Sequence, residues 1–181
     1  MLYYYNIWEG NENIEAIIDR YDEAAKYYRG VKGKLKTGDN DFIKRIVSMI
    51  DARDDIDELQ LETPDGATIP NGQEQKNKVL TTSWDTMRKN IDAEENDSNK
   101  VNLYMLMSSV VYDKRTDFDT LDETKKQEII EYCQSAKTEL NSIKSSNQFS
   151  ENIKDIMMKK IDASVNYFDN IQKTLNVQKD K

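Results

Sequence analysis

The chain has 181 residues, long enough for one domain that removes roughly 70% of its unfolded surface from water without covalent staples. It holds 1 Cys and no His, so an internal disulfide is excluded, and zinc, haem and imidazole-base chemistries lose their usual side chain. With 26 Lys plus Arg against 34 Asp plus Glu, the formal charge of −8 disfavours phosphate backbones and anionic membranes and favours a basic or neutral protein partner.

Only 6 Gly and 2 Pro occur, and both prolines, Pro64 and Pro70, fall in one window, so uninterrupted helix is permitted nearly everywhere else. The expected fold is all-α, a single-domain helical bundle of about six helices spanning residues 1–181 and ending in a long antiparallel helical hairpin. Residues 1–12 form an aromatic N-terminal segment ahead of the first helix. That segment is short, lacks a basic n-region and runs into Glu9 and Glu12, so it does not read as a signal peptide. No stretch approaches the roughly 20 apolar residues of a membrane span. The expected location is the cytoplasm, or outside the cell or on a lipid anchor for a chain whose leader has been removed.

The first helix is predicted from about Asn13 to Arg29, where Ile14, Ile17, Ile18, Tyr21, Ala25 and Tyr28 recur at helical spacing and Gly30 supplies a stop. A second starts after Asp39, a suitable N-cap, presents Phe42, Ile43, Ile46, Val47, Met49 and Ile50, and ends near Glu58. Residues 63–73 form a Pro/Gly loop, with Thr63-Pro64-Asp65-Gly66 able to close a small hairpin. The third helix carries the seam Leu80, Trp84, Met87 and Ile91 and stops in the polar run from Glu94 to Asn99. The fourth, Ser98 to Tyr112, is apolar nearly all round, which predicts a core position.

Thr120 and Glu123 match a capping box for the fifth helix, whose seam is Ile129, Cys133, Ala136, Leu140 and Ile143. The last helix, capped by Ser150, repeats Met157, Ile161, Ser164, Phe168, Ile171 and Leu175, and residues 177–181 form a frayed tail.

Tyr3, Tyr4, Tyr5 and Trp8 are the least ordinary feature, since aromatic side chains with polar tips concentrate at binding surfaces as well as in cores. Trp8-Glu9-Gly10, with Tyr5 four residues before Glu9, resembles the Trp-x-Gly turn of the small helical-hairpin substrates of type VII secretion. There the turn joins two long helices; here seven residues precede Trp8, so the chain is not assigned to that family.

Acidic residues cluster at Asp51, Asp54, Asp55, Asp57 and Glu58, and again at Asp113, Asp117, Asp119, Asp122 and Glu123. Such a face can imitate a phosphate backbone, or simply solvate a helix end. Neither run has the ligand pattern of a calcium loop. Glu12 with Glu15, Glu94 with Asp97, and Glu128 with Glu131 have the spacing with which helix-borne carboxylates hold Mg²⁺ over a nucleotide phosphate. Cys133 on its apolar seam reads as a packed side chain rather than a nucleophile. No catalytic residue, resident metal or cofactor is expected.

Three functions stay open at this point. The first is a non-enzymatic acidic protein that binds a protein partner through Tyr3, Tyr4, Tyr5 and Trp8 or through Asp54, Asp55, Asp57 and Glu58, as an inhibitor or accessory protein of a phage or mobile element would. The others are a Mg-dependent all-α nucleotide pyrophosphohydrolase and an exported helical protein that binds a host ligand. Direct nucleic-acid binding and membrane association are not expected, and the chain can be a monomer or a dimer.

Overall fold

A computed structural model describes the backbone of residues 2–30, 41–59, 72–144 and 148–179, and side-chain surroundings over 13–28, 41–59, 72–144 and 151–169. The fold is all-α, with seven helices and no strand among the described residues. They are α1 (Leu2–Gly30), α2 (Asp41–Asp57), α3 (Gly72–Ala93), α4 (Asp97–Asp113), α5 (Arg115–Phe118), α6 (Glu123–Ser142) and α7 (Gln148–Lys179). No helix among the described residues is long and apolar enough to cross a membrane.

Helix α1 begins at Leu2, eleven residues before the expected start, so Trp8-Glu9-Gly10 lies inside a helix and forms no turn. Asn6, Gly10, Asn11 and Asn13 are weak helix formers and read as a boundary; an interior Gly costs only about 1 kcal/mol relative to Ala, which a long helix tolerates. Helix α3 likewise starts at Gly72, ahead of its apolar seam. Its first turns are polar and mostly exposed, bound by Gln73 to Asn77 at one-turn spacing, so hydrophobic periodicity is silent there. The hairpin expected at Thr63 to Gly66 lies outside the described residues.

The chain divides into two compact units. One comprises Ala16–Leu103. In it α2 and α3 pack along their length, with Ile46, Met49, Ile50 and Ile56 of α2 and Leu80, Trp84, Met87 and Ile91 of α3 buried. Arg45 bonds Glu94, Asn90 bonds Ser48, and Ser83 bonds the Ala52 carbonyl, so numbers rise on α2 as they fall on α3 and the pair is antiparallel.

The other unit comprises Met1–Glu15 with Tyr104–Lys181. Every residue of α4 from Tyr104 to Val111 is buried, as its all-round apolar sequence implies. Ile129, Cys133, Ala136 and Leu140 of α6 and Met157, Ile161, Ser164 and Phe168 of α7 are buried too, while Ile143 is half-buried at the C-cap of α6. The ammonium of Lys137 meets Asp162 at 2.8 Å and that of Lys154 meets the Ile143 carbonyl at 2.6 Å, an antiparallel order of pairs between α6 and α7.

Two helix starts differ from expectation. The N-cap of α6 is Asp122, whose carboxylate accepts the Lys125 N–H at 2.8 Å, whereas the Thr120 hydroxyl turns back to the Asp117 carbonyl at 2.7 Å. The unforeseen single turn α5, anchored by buried Phe118, draws Thr120 into its own C-terminal turn and moves the start of α6 past it. Helix α7 starts at Gln148, so Ser150 stands within the helix and is not its cap. It continues to Lys179, beyond the expected onset of fraying.

Candidate functional site

Helix α2 is the element whose acidic residues the sequence singles out, and its packing on α3 decides where they point. Once Ile46, Met49, Ile50 and Ile56 face inward, the 3.6-residue period sets Lys44, Ser48, Asp51, Asp55 and Glu58 along one line at the edge of the contact with α3, where Ser48 meets Asn90. Lys44, Asp51, Asp55 and Glu58 are exposed and Ser48 is half-buried. Two clefts between α2 and α3 open beside this line. One, of about 300 Å³, is lined by residues that include Lys44, Ser48, Asp51, Asp55 and Thr86. Its neighbour adds Glu58, Leu59, Lys78 and Val79, and both share Asp55, Thr82 and Ser83.

Asp54 and Asp57 belong to a different arrangement. The Arg53 guanidinium donates to Asp22 of α1 at 2.6 Å and to Asp54 at 2.9 Å, with Asp57 at 4.0 Å. Burial works against the Arg53 charge, but the bonds from Asp22 and Asp54 outweigh it and hold the guanidinium above its ordinary value. Of the four acidic residues expected in a binding face, Asp55 and Glu58 line the cleft, whereas Asp54 and Asp57 converge on Arg53. The side chains of Tyr3, Tyr4, Tyr5 and Trp8 lie outside the described residues; their backbone is the start of α1.

Sequence reasoning missed the α3 side of the cleft. Thr82 and Thr86 stand one turn apart beside the Leu80–Trp84 seam, and that spacing of hydroxyls along a helix edge is the signal that was available.

Several other carboxylates singled out in the sequence are held locally. Glu94, 7% exposed, receives Arg45 at 2.8 Å and the Asn96 N–H at 3.2 Å. Burial alone would raise its pKa; the Asn96 N–H, Arg45 and Asn99 outweigh that and hold it below the ordinary carboxylate value. Glu128 takes Lys125 at 2.9 Å, and Glu131 takes the Gln127 amide at 3.2 Å. In the second acidic run, Asp122 caps α6, while Asp119 and Glu123 close on the buried ammonium of Lys126 at 3.4 and 3.1 Å. Among the described residues no group of three or more His, Cys, Asp or Glu is placed to hold a metal ion. The buried Cys133 thiol is pushed up to about 12 by desolvation, away from the thiolate a nucleophile needs.

Comparison with protein-family models, with curated proteins and with solved structures finds no match to this chain.

Proposed function

We propose that this chain is a non-enzymatic acidic protein that binds a macromolecular partner with a basic surface, using the exposed line of Asp51, Asp55 and Glu58 on α2 and the threonine edge of α3. The observation that carries the reading is the sorting of carboxylates on α2. Asp54 bonds Arg53 at 2.9 Å and Asp57 lies 4.0 Å from it, on the side away from the clefts, while Asp55 and Glu58 stand exposed at the edge of the clefts. Three exposed carboxylates on one helix edge, with Lys44 at its far end, on a chain of charge −8, raise the encounter rate with a basic face and repel acidic competitors. An inhibitor or accessory protein that occupies the basic groove of a nucleic-acid enzyme fits this chemistry.

The test is capture of a partner from the native host's lysate by wild type and by the double variant Asp55→Lys/Glu58→Lys. The reading expects capture to weaken with added salt and to be lost in the double variant, with an unchanged melting temperature. Equal capture by both proteins would reject it. Reversing Asp54 or Asp57 is the wrong variant, because it confronts Arg53 with a like charge and lowers stability by itself. The same capture with Tyr4→Ala and Trp8→Ala tests the aromatic start of α1, where lost capture without lost stability assigns those side chains to the interface.

A further inference from the structure

Three lysines are buried among the described residues, and they differ in what meets the ammonium: Lys154, 6% exposed, donates to the Ile143 carbonyl at 2.6 Å. Lys126, 3% exposed, is neutralised by Asp119 and Glu123. Lys160 of α7, 7% exposed, has no carboxylate within ion-pair distance among the described residues, and its ammonium donates to the Ser109 hydroxyl at 3.3 Å. It stands 5.7 Å from the centre of the Tyr112 ring. The Arg115 guanidinium lies 4.4 Å from that ring and 5.7 Å from the ring of Tyr167, and it donates to the Tyr112 carbonyl at 2.7 Å. Two cations therefore share one aromatic ring and lie within about 10 Å of each other.

Burying an ammonium costs several kcal/mol unless it is paired, and a ring face returns only about 1–2 kcal/mol of that. In a chain with 34 acidic residues, carboxylates to pair such a charge are abundant, as Lys126 demonstrates. Lys160 also keeps two of its three donors and Arg115 four of its five beyond the bonds just described. Arg115, Tyr112 and Tyr167 are only half-buried, so the cluster is open to solvent on the arginine side. A guanidinium fork and an ammonium that face one ring within about 10 Å of each other offer donors of the kind that a tetrahedral oxyanion satisfies with charge-assisted bonds.

We propose that Arg115 and Lys160 form an anion-binding site for a phosphate group, seated at the Tyr112 ring. Asp113 and Glu15 act on Lys160 through space and oppose the anion, which makes the site selective for a ligand that contributes directional bonds as well as charge. Desolvation holds Lys160 below the ordinary lysine value although Asp113 and Glu15 act on it through space, and a bound phosphate adds a direct anionic contact.

The test is calorimetric titration and thermal unfolding with inorganic phosphate and, separately, phenyl phosphate at constant ionic strength, with acetate as control. Saturable phosphate binding that raises the melting temperature is expected in wild type and in Lys160→Arg. Affinity should fall about tenfold or more in Lys160→Met and Arg115→Gln, the loss of one charge-assisted contact. Tighter binding of phenyl phosphate identifies the ligand as an aromatic phosphate monoester stacked on Tyr167; equal binding identifies free phosphate. Lys160→Met exchanges a buried amine for an apolar side chain of similar length and is expected to fold. Absence of binding by wild type, or equal binding by Lys160→Met and Arg115→Gln, overturns the site. Because these residues and the α2 cleft belong to different units, the outcome is independent of the partner-capture experiment.

Discussion

Glu94 shows how one buried carboxylate can be committed to structure. It follows the last turn of α3, accepts the Asn96 N–H that opens the way into α4, and takes the Arg45 guanidinium from α2. Replacing it with Gln leaves Arg45 beside a neutral amide and removes the charge-assisted part of both bonds. Hydrogen bonds to charged groups contribute about 1.5–3 kcal/mol, and Arg45 keeps 23% of its side chain in water, so the lower part of that range applies. Urea unfolding of Glu94→Gln should therefore show a loss of about 1–2 kcal/mol. A double-mutant cycle with Arg45→Met should show that the two changes are not additive. Additive effects would mean that the pair contributes nothing beyond its separate solvation.

At the scale of the element, the start of α6 separates what sequence pattern can and cannot supply. The Thr120 to Glu123 spacing satisfies the capping-box rule, yet the carboxylate of Asp122 makes the cap. Asp122→Ala should cost about 1 kcal/mol of stability, whereas Thr120→Ala should cost less than half of that. Equal losses would restore Thr120 to the role. Seams were legible wherever one face of a helix is buried: Leu80, Trp84, Met87 and Ile91, and then Ile129, Cys133, Ala136 and Leu140, all fall inside. Helix ends were legible poorly, because Asn6, Gly10, Asn11 and Asn13 interrupt the helical pattern at the start of α1, the first turns of α3 are polar, and α5 is a single turn around Phe118. For the candidate cleft the sequence supplied Asp55 and Glu58. It did not separate them from Asp54 and Asp57, since four acids within five positions look alike until Arg53 is seen to collect two of them. Nor could it find the cluster around Lys160, whose members Ser109, Tyr112, Arg115 and Tyr167 are joined only by the packing of α7 on its own unit.

For the whole molecule, stability against pH sums groups of opposite sign. On the acid side Glu94 is held below its unfolded value, so its contribution is complete above that value and is lost as pH falls through the folded one. On the alkaline side burial raises Cys133 from 9.0 to about 12 and raises Tyr21 above 10.0. The folded chain then holds protons that the unfolded chain releases, and stability falls as pH climbs past 9. Lys160 has the opposite sign: desolvation lowers it below 10.5, the folded chain gives up that proton first, and stability rises until the unfolded lysine also deprotonates. Urea unfolding between pH 7 and about 10.5 separates these terms, since each proton of difference changes stability by about 1.4 kcal/mol per pH unit. Cys133→Ala should flatten the decline above pH 9 whatever its effect on absolute stability at neutral pH. Lys160→Met should steepen it, because the compensating gain is gone. Slopes parallel to wild type in the Cys133→Ala variant would mean that the thiol reaches water before the chain unfolds globally, and that the interior of α6 opens on its own.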